Sequence, residues 1–404
     1  MKQFKRIFII FFLALTVCLF GCKKDEPVEV DPPVKEVYTI TYNLNGGTFS
    51  GDVARTFEEG SSYVLPTPTR DKFEFIGWKE IKDGNVVDEV VTELENRNYE
   101  LKATWKRILK VDVLSDEFTT TKKTKKDVVY KVCSESELKM DIYLPAMEEG
   151  KKYPVLFFFY GGGWIIGDKS YISLYSNVLK DLNGEGFIVV APNYRLSTTE
   201  DGKYPHPVED CFDAIRYVVK YQNELHADVN NMGSFGHSAG GYFALMAGYA
   251  QNHYKGDDSL KDYEFKLSYV ISLSAPSTYD EESISLLSLK GKTMLMAFLG
   301  TSNFTDKNNE KKFPSYYVNE NQIEVYIVHG GADELVPISQ STKFSELAAA
   351  SGSTVHYIEV PHAMHMYTSE EGYDISIDYA EKSKILRDFI LSHKWGFTTV
   401  YKNP

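Results

Sequence analysis

From Val37 onward the chain alternates between apolar and polar positions. In "YTITYNLNGGTFSG", Tyr38, Ile40, Tyr42 and Leu44 fall on one face, the period-two pattern of a half-buried strand. Asn45-Gly46 then predicts a hairpin turn, since glycine tolerates the positive φ such turns demand. Two more strand-like segments, "LPTPTRDKFEFIGWKE" and "NYELKATWK", follow with prolines between them, so residues 37–106 predict a small β-rich module. Residues 107–126, including "TTTKKTKK", read as a basic linker with solvated lysines.

The pattern changes near Asp127. "VLFFFY", "FIVVAP", "YVISLS" and "EVYIVHG" are short runs, apolar on both faces and bounded by turns, as buried strands of a mostly parallel sheet are. Helical spacing appears between and after them, at 206–225, 239–250, 338–352 and in "SIDYAEKSKILRDFILSHK". This alternation predicts one doubly wound α/β domain over residues 127–397. The stretch 277–312 fits neither pattern cleanly and is expected to fold over the functional site and set its specificity.

The amino-terminal residues predict export. Lys2, Lys5 and Arg6 precede an apolar run from Ile7 to Phe20, which is too short to cross a hydrocarbon core of roughly 30 Å in comfort. The run ends in "LFGC", which resembles a bacterial lipoprotein box. That resemblance implies cleavage after residue 21 and a lipid anchor on Cys22 at the outer face of the cell membrane. Phe20 is bulkier than the box usually has at that place. Residues 23–36 are charged and proline-rich and read as a tether. The formal net charge of −13 becomes about −16 without Lys2, Lys5 and Arg6, a surface that repels phosphate backbones and excludes nucleic-acid binding. Cys133 and Cys211 remain; an extracellular setting allows them to pair, although two buried thiols fit two cysteines better.

"GSFGHSAGGYFALM" carries the most specific chemistry. Gly236-His237-Ser238-Ala239-Gly240 is a G-x-S-x-G pentapeptide between an apolar stretch and a helical run, the setting of a strained strand-to-helix turn that exposes a nucleophilic serine. Such a hydroxyl needs a base. "YIVHGGADELVP" places Asp333 just after one buried strand, with Glu334 as the neighbouring alternative; "VHYIEVPHAMHMY" places His365 after the next, with His362 competing. Serine, acid, histidine is the chain order of α/β-hydrolases. His237 reads as a packing or hydrogen-bonding residue. "FFFYGGGW" then supplies a glycine-rich loop whose backbone N–H groups, with that of Ala239, suit an oxyanion. A phosphate loop requires lysine directly after its second glycine, and Asp168 intrudes before Lys169-Ser170.

Together with "APNYRLS", "YPHPVEDCFDAIRYV" and "FPSYYV", these phrases make residues 127–397 resemble α/β-hydrolase esterases of the hormone-sensitive-lipase and carbohydrate-esterase (BD-FAE-like) type. The resemblance implies an α/β-hydrolase fold, a catalytic Ser238, Asp333 and His365, and an oxyanion hole of Gly162, Gly163 and Ala239. It implies no metal or cofactor, and a short-chain or glycan-linked ester, acetyl or feruloyl, as substrate. Tyr160 stands where those esterases have histidine, and altered anchoring of the loop is expected. Because a histidine base must be neutral, activity is expected to fall as pH drops through roughly 6 to 7. Peptide or amide hydrolysis and a non-catalytic adhesion protein are the alternatives. Residues 37–106, through "YNLNGGT", "LPTPTR", "FIGW" and "LKATW", resemble one internalin-type B repeat (Listeria–Bacteroides repeat). That implies a β-grasp-like spacer in contact with cell wall or glycan. Trp78 and Trp105 suit such a contact, but suit the module's core better.

Overall fold

The structure, a computed structural model, describes residues 34–133, 136–179, 182–251, 253–304 and 306–393. Contacts divide the chain into two compact units at Ile108/Leu109.

The first unit is a five-stranded sheet. Its strands are β1 (Val37–Asn43), β2 (Thr56–Glu58), β3 (Phe73–Lys82), β4 (Asn85–Val90) and β5 (Tyr99–Arg107), in the order β2-β1-β5-β3-β4. β1 and β5 run parallel. The alternation in β1 buries Ile40 and Tyr42 beneath Trp78, Leu101 and Ala103. Trp78 is 2% exposed and donates its indole N–H to Pro66 O at 2.8 Å; Trp105 is half-buried and donates to Leu44 O at 3.1 Å. Both rings therefore serve the core. Asn45 and Gly46 do turn, with φ of 47° and 86°, and Gly47 N–H closes the turn on Leu44 O at 2.9 Å. The turn joins no tight hairpin, however, because β1 pairs with the distant β2 and β5.

The second unit is an eight-stranded sheet. It holds β6 (Lys123–Cys133), β7 (Ser136–Leu144), β8 (Tyr153–Phe159), β9 (Ile188–Pro192), β10 (Ala227–His237), β11 (Tyr269–Leu273), β12 (Glu324–Gly330) and β13 (Thr354–Val360). The order is β6-β7-β9-β8-β10-β11-β12-β13, antiparallel at the β6-β7-β9 end and parallel from β9 to β13. Helices follow as α1 (Ser176–Leu179), α2 (His206–Lys220), α3 (Ala239–Tyr249), α4 (Glu281–Leu286), α5 (Leu289–Leu299), α6 (Ser339–Ala350) and α7 (Ser376–Ser392). Every residue of β8 is buried, which explains why "YPVLFFF" lacks alternation: a central parallel strand has no wet face. This is an α/β-hydrolase fold.

The expected linker at 107–126 is a correction. Leu114 and Glu117 are buried, at 7% and 4% exposure, and β6 already begins at Lys123. Lys123 and Lys125 are not simply solvated. Both pair with the buried Glu117 carboxylate, the former at 3.2 Å. A buried acid without those partners would be costly, so the lysines neutralise it and let the strand start early.

Parallel register brings the functional loops to one edge. Phe159 pairs with Gly236, His237 with Leu273, Leu273 with Val328, and Gly330 with Val360. The loops after β8, β10, β12 and β13 consequently leave the same carboxyl edge, where α/β sheets build their sites.

Candidate active site

Ser238 sits between the last residue of β10 and the first of α3, with φ 57° and ψ −124°. A residue with a side chain avoids this left-handed region, so the turn persists only because its surroundings fix it. Ser238 N–H donates to Leu273 O at 2.8 Å, and Ser238 O accepts from Tyr242 N–H at 3.0 Å. All eleven residues of α3 are buried. A β-carbon on Gly240 would overlap the carbonyl oxygen of Phe159, so only glycine lets helix and strand meet this closely.

The hydroxyl is the first member of a buried polar chain. His365 Nε2 lies 2.9 Å from Ser238 Oγ, and His365 Nδ1 lies 2.7 Å from Asp333 Oδ2. The second oxygen of Asp333 accepts the N–H groups of Leu335 and Val336 at 2.9 and 2.8 Å. His329, fully buried on β12, places Nε2 3.3 Å from Asp333 Oδ2 and shares that N–H with Val336 O at 2.9 Å. Burial on its own would push the Asp333 carboxyl up. Hydrogen bonds from His329 and His365 outweigh it and hold the group well below the usual carboxylate range. An ionised Asp333 requires the proton of His365 on Nδ1, which leaves Nε2 free to accept from serine.

The backbone of His365 is gripped as well. Its N–H donates to Glu334 Oε2 at 3.1 Å, and its carbonyl accepts from His237 Nε2 at 2.8 Å. Burial and the neighbouring His365 push the His237 imidazole down to about 3, so it is a neutral donor here. Sequence reasoning passed over His329 and the backbone role of Glu334. The phrase "HGGADE" carries both, without a periodicity that singles them out. His362 stands apart, stacked 3.6 Å from the Tyr373 ring and bonded to Glu370 at 3.0 Å.

The glycine loop after β8 reaches the same place. Gly162 and Gly163 have φ of 128° and 58° and line one cavity with Ser238 and His365. Their N–H groups and that of Ala239, at the first position of α3, donate no hydrogen bond among the described residues. Tyr160, at the head of the loop, stacks on Tyr194 with ring centroids 4.2 Å apart and planes 11° apart. Its hydroxyl donates to Tyr194 O at 3.3 Å, and Tyr194 OH donates back to Tyr160 O at 2.9 Å. Lys169 is spent elsewhere, on Asp141 at 2.7 Å, while Asp168 caps its own turn by accepting Ser170 N–H at 2.7 Å.

The stretch 277–312 forms α4 and α5, and α5 sends Lys290 and Met294 to the cavity, which measures about 640 Å³. Trp164 of the glycine loop stacks on Phe298 of α5 at 4.5 Å, docking the helix against the loop. Cys133 and Cys211 are free buried thiols. Cys22, with the rest of residues 1–33, lies outside the described residues.

Comparison with known proteins places these features. Residues 38–103 match the Listeria-Bacteroides repeat domain. Among curated proteins the chain is 26% identical to Esterase LipC and 27% identical to Esterase LipQ of Mycobacterium tuberculosis, over 55% of its length in each case. It spans about half the length of these two relatives, 55% and 52%. A propionate-bound esterase of Thermogutta terrifontis superposes with a TM-score of 0.54 at 23% identity, covering 71% of this chain and 98% of that one. A truncated carbohydrate esterase from gut microbiota gives 0.52 at 21%, covering 68% and 100%. Residues 140–347, more than half of the chain, match the BD-FAE family profile, and they include the strand-to-helix turn, the glycine loop and Asp333; the chain belongs to the BD-FAE family.

Proposed function

We propose that the chain is a serine carboxylic-ester hydrolase acting through an acyl-enzyme. The observation that carries this reading is the buried run Ser238–His365–Asp333, at 2.9 and 2.7 Å, beside a loop whose glycines line the same cavity. The esterases among its relatives support it.

His365 Nε2 takes the proton of Ser238 as Oγ attacks the ester carbonyl carbon. The carbonyl oxygen becomes negative against the N–H groups of Gly162, Gly163 and Ala239, each such donor being worth about 100- to 1000-fold in rate. The C–O bond to the alcohol then breaks, and the leaving oxygen takes the proton from His365. Water repeats the sequence on the acyl-enzyme, giving the acid and restoring Ser238. Asp333 stays ionised throughout and stabilises the imidazolium that forms twice.

Ser170, Tyr171, Lys290 and Glu334 line the cavity and suit a hydroxylated alcohol, which favours esters carried by sugars. Export with a lipid anchor on Cys22 would set the enzyme at the outer face of the cell membrane, with the β module as a spacer that touches wall or glycan. Cys22→Ala is then expected to move the protein from the detergent-extracted to the soluble fraction, and unchanged partition would overturn the anchor.

The deciding experiment compares purified wild type with Ser238→Ala on p-nitrophenyl acetate. A loss of roughly 10⁴-fold or more is expected. Equal, background-level rates for the two proteins would overturn the reading.

A further inference from the structure

The space at Ser238 is divided unequally. Ser238 lines two spaces, an open cleft of about 640 Å³ and a recess of about 20 Å³, which has room for about one water-sized group. Gly163, Ser238, Met294 and Leu335 face both spaces. The first two belong to the reacting centre, and Leu335 is pinned through its own N–H, 2.9 Å from Asp333 Oδ1. Met294 is the remaining side chain of the partition. It rises from α5, half-buried, and its thioether lies so near the loop that a β-carbon on Gly163 would run into Sδ.

We propose that Met294 sets the length of the acyl group this site accepts, by closing the recess to little more than the methyl of an acetyl ester. The proposal rests on the ester-hydrolase reading and narrows it. Once the carbonyl oxygen faces the glycine N–H groups and its carbon faces Ser238 Oγ, the two remaining substituents point apart, one towards each space. The recess is walled by Trp164, Pro276, Leu287 and Leu295 and carries no charged group, which suits a hydrocarbon. The cleft holds Lys290 and Glu334 and suits the alcohol. A butyryl chain brings two more methylenes than the recess holds, and a feruloyl group brings an aromatic ring. Moving α5 away to make room would cost the Trp164–Phe298 stack, whose planes lie within 7° of parallel, and would disturb Leu295, which is 2% exposed.

The test measures kcat/KM on p-nitrophenyl acetate, butyrate and hexanoate and on methyl ferulate, with wild type, Met294→Ala and Met294→Val. Wild type is expected to favour acetate over butyrate by roughly 10- to 100-fold and to leave methyl ferulate untouched. Met294→Ala is expected to lose a few-fold on acetate and to gain about 10-fold on butyrate, with Met294→Val in between. Should the alanine variant fold poorly, the valine variant carries the comparison. A flat chain-length profile in active wild type, turnover of methyl ferulate comparable with that of acetate, or an acetate-to-butyrate ratio that neither variant moves would overturn the role of Met294. Wild type no faster than Ser238→Ala on every ester is a different result: it removes the hydrolase reading and this proposal with it.

Discussion

The turn that carries Ser238 and the loop that carries His365 are held by different means. The serine turn is fixed by backbone: its own N–H and carbonyl are bonded at 2.8 and 3.0 Å, and Gly240 lies against Phe159 with no room for a β-carbon. His365 itself is held by side chains from elsewhere, Asp333 and Glu334 from the loop after β12 and His237 from the end of β10. Changes in the first region therefore collide with something that does not yield. Changes in the second remove one bond among several, so their effects should be graded.

Gly240→Ala should break the comparison most severely. Its β-carbon meets a strand carbonyl, not a flexible side chain, and a loss of roughly 3 kcal/mol or more is expected from chemical denaturation. A stable, active Gly240→Ala protein would show that the turn yields as readily as the loop does.

Asp333→Asn comes next, with a fall in kcat of about 10⁴-fold, because an amide can leave the imidazole in the wrong tautomer. Its stability should also depend on pH. The folded Asp333 carboxyl is depressed below its unfolded value, so its contribution is complete above the ordinary carboxylate value of about 3.9 and fades as pH falls below it. Melting curves should therefore separate wild type from Asp333→Asn at neutral pH and converge below about pH 4. A constant gap would argue that the stabilisation does not come from the ionised group.

Smaller effects are expected at the backbone clamp. Glu334→Ala should lower kcat by roughly 10-fold, the size of one lost hydrogen bond, and Glu334→Gln should recover most of it because its amide oxygen still accepts the His365 N–H. Equal losses in both variants would mean that Glu334 acts through its charge in the cleft instead of through the loop.

This difference also explains what was legible in the sequence. Gly236, Ser238 and Gly240 are spaced by a local steric demand, so five residues announce the turn. The β8, β9, β11 and β12 strands announced themselves because both of their faces are apolar. Asp333 and His365 could be placed by chain order after two of those strands. The clamp from His237 and Glu334 depends on a partner remote in sequence, His365, whereas His329 has its partners close by and was missed because a buried strand histidine carries no pattern that marks it as polar support. Lys123 and Lys125 misled although their partner is close in sequence, because nothing in the local pattern says that Glu117 is buried. Asn45-Gly46 gave the right backbone and the wrong partner, since a turn's local geometry does not say which strands it will join. The two helices at 277–312 were invisible as elements, although Asp280 and Ser288 do cap them, accepting from Ser283 N–H and Gly291 N–H.

The paired tyrosines at the head of the glycine loop bear on how such a protein can change over generations. Tyr160 and Tyr194 each hold the other's backbone carbonyl, and their stacked rings are what makes the two side chains depend on each other. Each hydroxyl bonds a backbone oxygen, which a substitution at the other position leaves in place, so what a change at either position removes from its partner is the ring stack. The two sites are epistatic. A double-mutant cycle on Tyr160→Leu and Tyr194→Leu, which removes the rings, should register the stack as a coupling of about 1 kcal/mol.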